Sequence, residues 1–128
     1  MNIFIVGLGS NSRDRQLQME NAIHHVMAKF QNVKVSSIYD TPALNEIDSN
    51  YLNAVLVATT NMSLEETTKV LKQWEVLCGR TSKSKLIGSI PIDLDVVIWN
   101  GEVLRERDYS CRYFRLGYNQ LVELGCIN

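Results

Sequence analysis

The segment PIDLDVVIW, residues 91–99, alternates apolar residues with two aspartates and then continues as an apolar run. Alternation with a period of two is typical of a β-strand, because successive side chains of a strand point to opposite faces. The residues expected on one face are Ile92, Leu94, Val96 and Ile98. Asp93 and Asp95 then share the other face with their backbones about 7 Å apart, which makes this strand the first candidate for a functional site.

Three more strands and two helices can be assigned to the sequence before this segment. The predicted strands are residues 2–8, 33–39 and 51–60, the last two antiparallel to each other, and the predicted helices are residues 14–30 and 63–79. Ser12 or Asp14 can cap the first helix, while Ser63 and Glu66 form a capping box at the second. The order β-α-β-β-α-β predicts an α+β, ferredoxin-like fold, an antiparallel sheet with two helices packed on one face.

The sequence on either side of the strand at 91–99 is less regular. Residues 80–90 are basic and rich in serine, so we expect a loop there. Asn100-Gly101 predicts a turn, and a short strand is expected near Val103. The tail that continues to Asn128 is either a helix or an irregular segment.

The composition is that of an ordinary globular protein. The chain has 128 residues, 45% of them hydrophobic and 21% charged, so we expect one domain over residues 1–128. A net charge of -1 gives no support to a nucleic-acid binder. The 3 cysteines are widely spaced, which argues against a disulfide framework or a zinc site. Because no secretory signal or long apolar run is present, we expect a cytoplasmic protein without membrane contact.

The aspartate pair has two interpretations. Two carboxylates this close repel each other and raise each other's pKa. Either water solvates them on an exposed face, or a divalent cation compensates their charge. Mg²⁺ is typically held by one or two carboxylates together with the phosphates of a substrate, so Asp93 and Asp95 are candidate metal ligands.

Three other segments carry polar residues that can bind a ligand, and each has a structural alternative. GLGSN, residues 7–11, ends the first strand and either presents backbone N–H groups to a phosphate or makes a tight turn before the helix. Arg80, Lys83 and Lys85 either fold over a polyphosphate or remain solvated. Asn53 is polar in an apolar strand, so it faces either solvent or a ligand.

Taken together, these segments resemble the 6-hydroxymethyl-dihydropterin pyrophosphokinase family of folate biosynthesis. The matching segments are GLGSN at 7–11, SSIYDTP at 36–42, YLNAV at 51–55, WEVLCGR at 74–80 and PIDLDVVIWNGEV at 91–103. The resemblance runs from residue 2 to about residue 104 and continues weakly to Leu124. It implies a ferredoxin-like fold, in agreement with the pattern of strands and helices.

The resemblance also implies an activity and a set of site residues. The family transfers the β,γ-pyrophosphoryl group of ATP to the hydroxymethyl oxygen of a reduced pterin and releases AMP. Two Mg²⁺ ions would lie on Asp93 and Asp95, and the implied catalytic residues are Arg80, Asp93 and Asp95. The implied pterin-binding residues are Thr41, Pro42, Leu44, Tyr51 and Asn53. The implied nucleotide-binding residues are Glu75, Arg80, Lys83 and Lys85.

The chain departs from the family pattern on the nucleotide side. Ile90 stands where the family usually has an arginine, Ser82 replaces a second basic residue, and a loop tryptophan is replaced near Ile87. Lys83 and Lys85 can supply substitute charges, with poorer geometry than a guanidinium group.

The tail departs from the pattern as well. The Pro-His pair and the arginine that follow the metal strand in the family have no clear counterpart, although Tyr109, Arg112 and Arg115 lie close by. We therefore predict a diverged, C-terminally short pyrophosphokinase that works as a monomer on ATP and hydroxymethyl-dihydropterin. The alternatives are a paralogue that binds a pterin or nucleotide without catalysis, and an interaction module without pterin affinity.

Overall fold

The computed structural model describes residues 1–45, 48–84 and 86–127. The strands are β1 (Asn2–Ser10), β2 (Gln31–Val35), β3 (Tyr39–Thr41), β4 (Tyr51–Thr60), β5 (Asp93–Trp99) and β6 (Glu102–Val103). The helices are α1 (Arg15–Lys29), α2 (Leu64–Leu77), α3 (Glu106–Ser110) and α4 (Arg112–Glu123).

The described strands form one antiparallel sheet in the order β2-β4-β1-β5-β6, with β3 paired to the end of β4. The first strand lies at the centre between β4 and β5, as the ferredoxin-like arrangement requires. The predicted α+β fold is therefore confirmed.

The two faces of the sheet carry different helices. On one face α1 and α2 cover a buried cluster that includes Met19, Val26 and Leu71. On the other face α4 covers a second cluster around Phe114 and Leu121. The two predicted helices thus share one face, and the ambiguous tail supplies a third helix for the opposite face.

The start of α2 follows the predicted capping box. The Ser63 hydroxyl accepts a hydrogen bond from Glu66 N, and the Glu66 carboxylate accepts one from Ser63 N, each 3.1 Å long. Gly79 has a φ of 98° just beyond the helix, a left-handed conformation that favours glycine. At α1, Asp14, one of the two predicted capping residues, occupies the N-cap position, but its side chain makes no capping bond.

The predicted strand at 33–39 is divided into β2 and β3. Val35 pairs with Leu56 and Tyr39 with Asn53, so this segment contains one more residue than the partner strand. Ser36 accommodates the break, since its backbone N donates to Val55 O (2.8 Å) and its hydroxyl accepts from Val55 N (2.9 Å). The other predicted strand, at 51–60, is β4 and is antiparallel to both segments.

A bulge changes the faces of β5. Ile5 pairs with Ile98 and Val6 with Val96, which leaves Val97 as the additional residue. Leu94 and Val96 face α1 and α2 as expected, but Ile98 packs in the cluster under α4. The predicted face of Ile98 is therefore wrong.

The predicted turn after β5 is confirmed. Asn100 and Gly101 have φ values of 48° and 82°, the two left-handed residues of a tight hairpin, and Trp99 pairs with Glu102. The short strand expected near Val103 is β6, and the tail beyond it is helical over α3 and α4. Residues 80–90 contain no helix or strand in their described part, as expected for a loop.

Candidate active site

A cavity of about 420 Å³ opens on the sheet face that carries α4. It is lined by Gly7, Leu8, Gly9, Thr41, Pro42, Ala43, Leu44, Asn45, Asp48, Tyr51, Asn53, Ala54, Asp93, Asp95, Val97, Arg105, Arg107, Asp108, Tyr113 and Phe114. All five pterin-binding residues named from the sequence are among these, and so are both aspartates.

The register of three strands brings these residues together. Gly9 of β1 pairs with Asn53 of β4 on one side and with Asp93 of β5 on the other, and Gly7 pairs with Asp95. A Cβ atom on Gly9 would lie 3.1 Å from Asn53 Oδ1, so the missing side chain keeps space open between the neighbouring strands. The glycines of GLGSN therefore lie within β1 and line the cavity, and both sequence interpretations of this segment as a turn are wrong.

One end of the cavity, which we call the amide end, is formed by Thr41 and Asn53. Asn53 is only 5% exposed, and its side-chain N–H donates to the Thr41 hydroxyl. The side chain thus faces the cavity rather than bulk solvent. Tyr51 lies next to this pair, and burial together with the charges of Asp93 and Asp48 raises the pKa of its hydroxyl. This end is neutral and offers amide, hydroxyl and aromatic groups to a ligand.

The carboxylate end is formed by Asp93 and Asp95. Arg80 donates from Nη1 to Asp93 Oδ1 (2.7 Å), and Lys72 donates from Nζ to Asp95 Oδ1 (2.9 Å). Burial is the main cause that raises the pKa of Asp95, the nearby Asp93 charge adds to it, and Lys72 opposes it. The other carboxylate oxygen of this residue, Asp95 Oδ2, lies 3.8 Å from Arg105 Nη2.

Helix α2 and the loop that follows it supply the groups that hold this end in place. Along the outer edge of β5, Glu75 Oε2 accepts from Leu94 N (2.8 Å) and Lys72 donates to Leu94 O (2.9 Å). Arg80 donates to Ile92 O (3.3 Å). These side chains take the place of a neighbouring strand, because they satisfy backbone groups that an edge strand leaves unpaired. Glu75 and Arg80 therefore support the aspartates from outside the cavity.

The described cations of the basic loop lie in different places, and their binding to a nucleotide stays a prediction. Arg80 turns towards Asp93, whereas Lys83 is exposed and does not line the cavity. Lys85 lies outside the described residues. Ile90 is buried, and its N donates to Asn11 Oδ1 (2.6 Å), so the last residue of GLGSN anchors the end of this loop.

Several residues at the cavity were missed from the sequence. Arg105, Arg107, Asp108 and Tyr113 line it, but the tail residues named from the sequence were others. Among those, Arg115 packs over the rings of Tyr109 and Tyr118, 4.8 and 4.9 Å from their centroids. The sequence predicted only the turn at Asn100-Gly101; in the structure Leu104 N donates to Val97 O (2.8 Å), which directs the chain back towards Asp95.

The donor set at the carboxylate end fits Mg²⁺. No cluster of three His, Cys, Asp or Glu side chains suited to a metal occurs in the part of the chain that the structure describes. Mg²⁺ needs no such cluster, because it prefers oxygen ligands and is bound through one or two carboxylates plus substrate phosphates. Asp93 and Asp95 both line the cavity and present only oxygen atoms.

The fold and the cavity define a ferredoxin-like α+β protein whose cavity lies between paired carboxylates and a buried amide. The chain belongs to the 7,8-dihydro-6-hydroxymethylpterin-pyrophosphokinase (HPPK) family, whose profile matches residues 5–122. This result confirms the family identified from the sequence motifs.

Individual relatives agree with this assignment. The chain is 33% identical over 103 residues to the 2-amino-4-hydroxy-6-hydroxymethyldihydropteridine pyrophosphokinase of Aquifex aeolicus (strain VF5), covering 80% of this chain and 64% of that protein. It is 34% identical over 104 residues to the enzyme of the same name from Bacillus subtilis (strain 168), and this alignment covers 79% of this chain and 62% of that enzyme. The folate synthesis bifunctional protein of Chlamydia muridarum (strain MoPn / Nigg) is 33% identical over 117 residues, and this alignment covers 86% of this chain and 25% of that protein. The chain therefore spans less than two thirds of each of these relatives.

Within residues 1–45, 48–84 and 86–127, none of the helices has the length and apolar character needed to cross a membrane.

Proposed function

We propose that this protein transfers the β,γ-pyrophosphoryl group of ATP to the hydroxymethyl oxygen of a reduced pterin and releases AMP, a step of folate biosynthesis. The observation that carries the proposal is the position of Gly9. It pairs with Asn53 on one side and Asp93 on the other, so the amide end and the carboxylate end share one cavity. Family membership supports the same activity.

The amide end is proposed to bind the pterin. Asn53 is buried and can both donate and accept, which suits the amide edge of a pterin ring. Thr41 orients the Asn53 side chain by accepting its hydrogen bond. Pro42, Leu44 and Tyr51 line the cavity beside them and supply apolar and aromatic surface for the flat ring.

The carboxylate end is proposed to bind the triphosphate of ATP together with Mg²⁺. Asp93 and Asp95 would hold the cation, two ions in the family pattern, and the cation when bound neutralises phosphate charge and favours the transfer. Arg80 and Glu75 keep the aspartates in place through their bonds to β5. Arg105 and Arg107 line the same cavity and add positive charge for the phosphates.

In the proposed reaction the protein positions groups and does little covalent chemistry. A bond forms between the hydroxymethyl oxygen and the β-phosphorus, the bond between that phosphorus and the α,β-bridging oxygen breaks, and the hydroxyl group gives up its proton. Such transfers depend on in-line placement and on compensation of charge. The two ends of the cavity would provide the placement, since each would hold one substrate.

A second candidate function is binding of a pterin or nucleotide without transfer. It is favoured by Ile90, which is 4% exposed and replaces an arginine of the family pattern, so this position offers no cation to ATP. Lys83, in the same loop, is exposed and can supply a charge if the loop moves towards bound phosphates. We further propose that the protein is a cytoplasmic monomer over residues 1–128 that does not bind nucleic acid, in line with its net charge of -1.

The test is AMP release from ATP and 6-hydroxymethyl-7,8-dihydropterin with and without Mg²⁺. The parent protein is compared with Asp95→Asn and with Asp40→Asn, which makes the same change at an exposed residue that does not line the cavity. AMP release that needs Mg²⁺ and is lost only in Asp95→Asn supports the transferase. Pterin binding without AMP release supports the second candidate function. A protein that neither binds the pterin nor releases AMP contradicts both candidate functions.

A further inference from the structure

Lys72 occupies an unusual position at the carboxylate end. It lies on α2 one turn before Glu75, outside the set of residues that line the cavity, and reaches the outer edge of β5. Its ammonium nitrogen is 2.9 Å from each of three oxygen atoms, namely Asp95 Oδ1, Glu75 Oε2 and Leu94 O. An ammonium group has three N–H donors, so this contact set uses all of them.

The other cations nearby are directed to other acids. Arg80 bonds to Asp93 Oδ1 at 2.7 Å, while Arg105 bonds to Asp108 and is 3.8 Å from Asp95. The close cation of Asp95 in the described part of the chain is therefore Lys72. It compensates the charge of a carboxylate whose side chain is only 16% exposed.

The ion pair between Lys72 and Asp95 weakens the binding of any other cation to Asp95. A divalent ion on the cavity side would share the carboxylate with the ammonium group and would be repelled by its charge. Two like charges a few ångströms apart repel each other even in bulk water, and the repulsion is stronger for a divalent ion or in a partly buried site.

We propose that Lys72 is a positioning residue that acts as a built-in counter-cation: it holds Asp95 and Glu75 in place without metal and weakens the binding of a divalent cation to Asp95. The inference rests on the proposed function in so far as Asp93 and Asp95 bind the cation. It predicts that the site fills with metal mainly when substrate phosphates add further ligands.

The experiment measures Mn²⁺ binding, as a probe for Mg²⁺, by the electron paramagnetic resonance signal of free Mn²⁺ at neutral pH without nucleotide or pterin. Lys72→Gln removes the charge and keeps a donor for Leu94 O. Lys69→Gln is the matched control, because Lys69 is exposed on the same helix and makes no ion pair among the described residues. Lys72→Arg keeps the charge, and Asp95→Asn removes the carboxylate.

We expect Lys72→Gln to bind Mn²⁺ about tenfold more tightly than the parent protein. Lys69→Gln and Lys72→Arg should stay close to the parent, and Asp95→Asn should lose binding. Circular dichroism checks folding, and Lys72→Met replaces Lys72→Gln if the latter does not fold. A purely structural role of Lys72 would lower the thermal stability of Lys72→Gln without tightening Mn²⁺ binding.

The outcomes separate this inference from the proposed function. Equal or weaker Mn²⁺ binding in Lys72→Gln, with binding retained in the parent protein, overturns the inference alone. Binding in Lys72→Gln but not in the parent supports the inference strongly, because it shows that the ammonium group masks the site. If no variant binds Mn²⁺ without nucleotide, the inference is overturned, whereas the proposed function, in which substrate phosphates supply further ligands, is tested separately by Mg²⁺-dependent AMP release.

Discussion

At the amide end of the cavity Asn53 and Thr41 are neutral and bond to each other, whereas at the carboxylate end Asp93 and Asp95 are ion-paired to cations of α2 and its following loop. Asn53 of the amide end lies on β4 and the two aspartates lie on β5, and in the sheet only β1 separates these strands. The neutral end needs little compensation when it is empty, but two partly buried carboxylates require it. This difference in charge explains why the side chains of α2 and its following loop support the carboxylate end and not the amide end.

The largest effect is expected from Asp95→Asn, which should lower kcat by about a thousandfold through the loss of cation-dependent charge compensation. The KM for the pterin should change little, because the amide end remains intact. Steady-state AMP formation at varied pterin concentration measures both constants. An increase in pterin KM with kcat preserved would mean that the two ends do not divide the substrates as proposed.

The opposite pattern is expected for Asn53→Ala. Loss of the amide should raise the pterin KM by about 10- to 100-fold with a smaller change in kcat, since a site built to hydrogen-bond its ligand loses affinity when a partner is removed. The same assay applies. Thr41→Val is the matched control, because it removes only the acceptor that orients Asn53, and a few-fold change is expected. Comparable effects of the two variants would contradict a direct contact between Asn53 and the pterin.

A smaller effect, on stability rather than turnover, is expected where α4 closes the cavity. A Cβ on Gly117 would lie 2.7 Å from Val55 Cγ2 and 2.9 Å from Tyr39 OH, so Gly117→Ala must push the helix away from the sheet. We expect a loss of about 1–3 kcal/mol in the free energy of unfolding, measured by urea denaturation. Alanine usually stabilises a helix interior relative to glycine. An increase in stability would therefore show that α4 does not pack closely against the sheet at Gly117.

The smallest effect concerns Tyr39, whose hydroxyl donates to Tyr113 O (2.6 Å) and accepts from Gly117 N (3.0 Å). Burial raises its pKa to about 12, and the bond from Gly117 acts in the opposite direction. A raised pKa means that the stabilisation is complete below the unfolded value of about 10 and is lost as the pH rises through about 12.

Tyr39→Phe should therefore be about 1 kcal/mol less stable than the parent protein at neutral pH. The difference should shrink as the pH rises towards 12. Urea denaturation of both proteins at increasing pH provides the comparison. A constant difference across this range would contradict the role of the neutral hydroxyl.

Features that depend on neighbouring residues in the sequence were predictable. The capping box of Ser63 and Glu66 is a local arrangement, and the shared face of Asp93 and Asp95 follows from the two-residue period of a strand. The pterin-side residues were named from the family motifs, and the structure brings them to the same cavity. Their roles in binding stay a prediction.

Features that depend on pairing between distant strands were not predictable from the pattern. The bulge at Val97, which turns Ile98 to the other face, arises from the register with β1. Lys72, which contacts Asp95, lies 23 residues before it in the sequence. Arg105 approaches Asp95 from the other side of the hairpin that follows β5. No local period of the sequence reports such contacts, because they form only when the sheet and α2 are assembled.

The most direct test of the account is whether the pterin and the divalent cation bind side by side in one cavity. Nuclear magnetic resonance can follow the hydroxymethyl protons of the pterin in the presence of the protein, a non-hydrolysable ATP analogue and substoichiometric Mn²⁺. We predict strong paramagnetic broadening of these protons with the parent protein, and loss of that broadening with Asp95→Asn while the pterin still binds. Pterin binding to the parent protein without broadening would contradict the proposed division of the cavity into two adjacent ends.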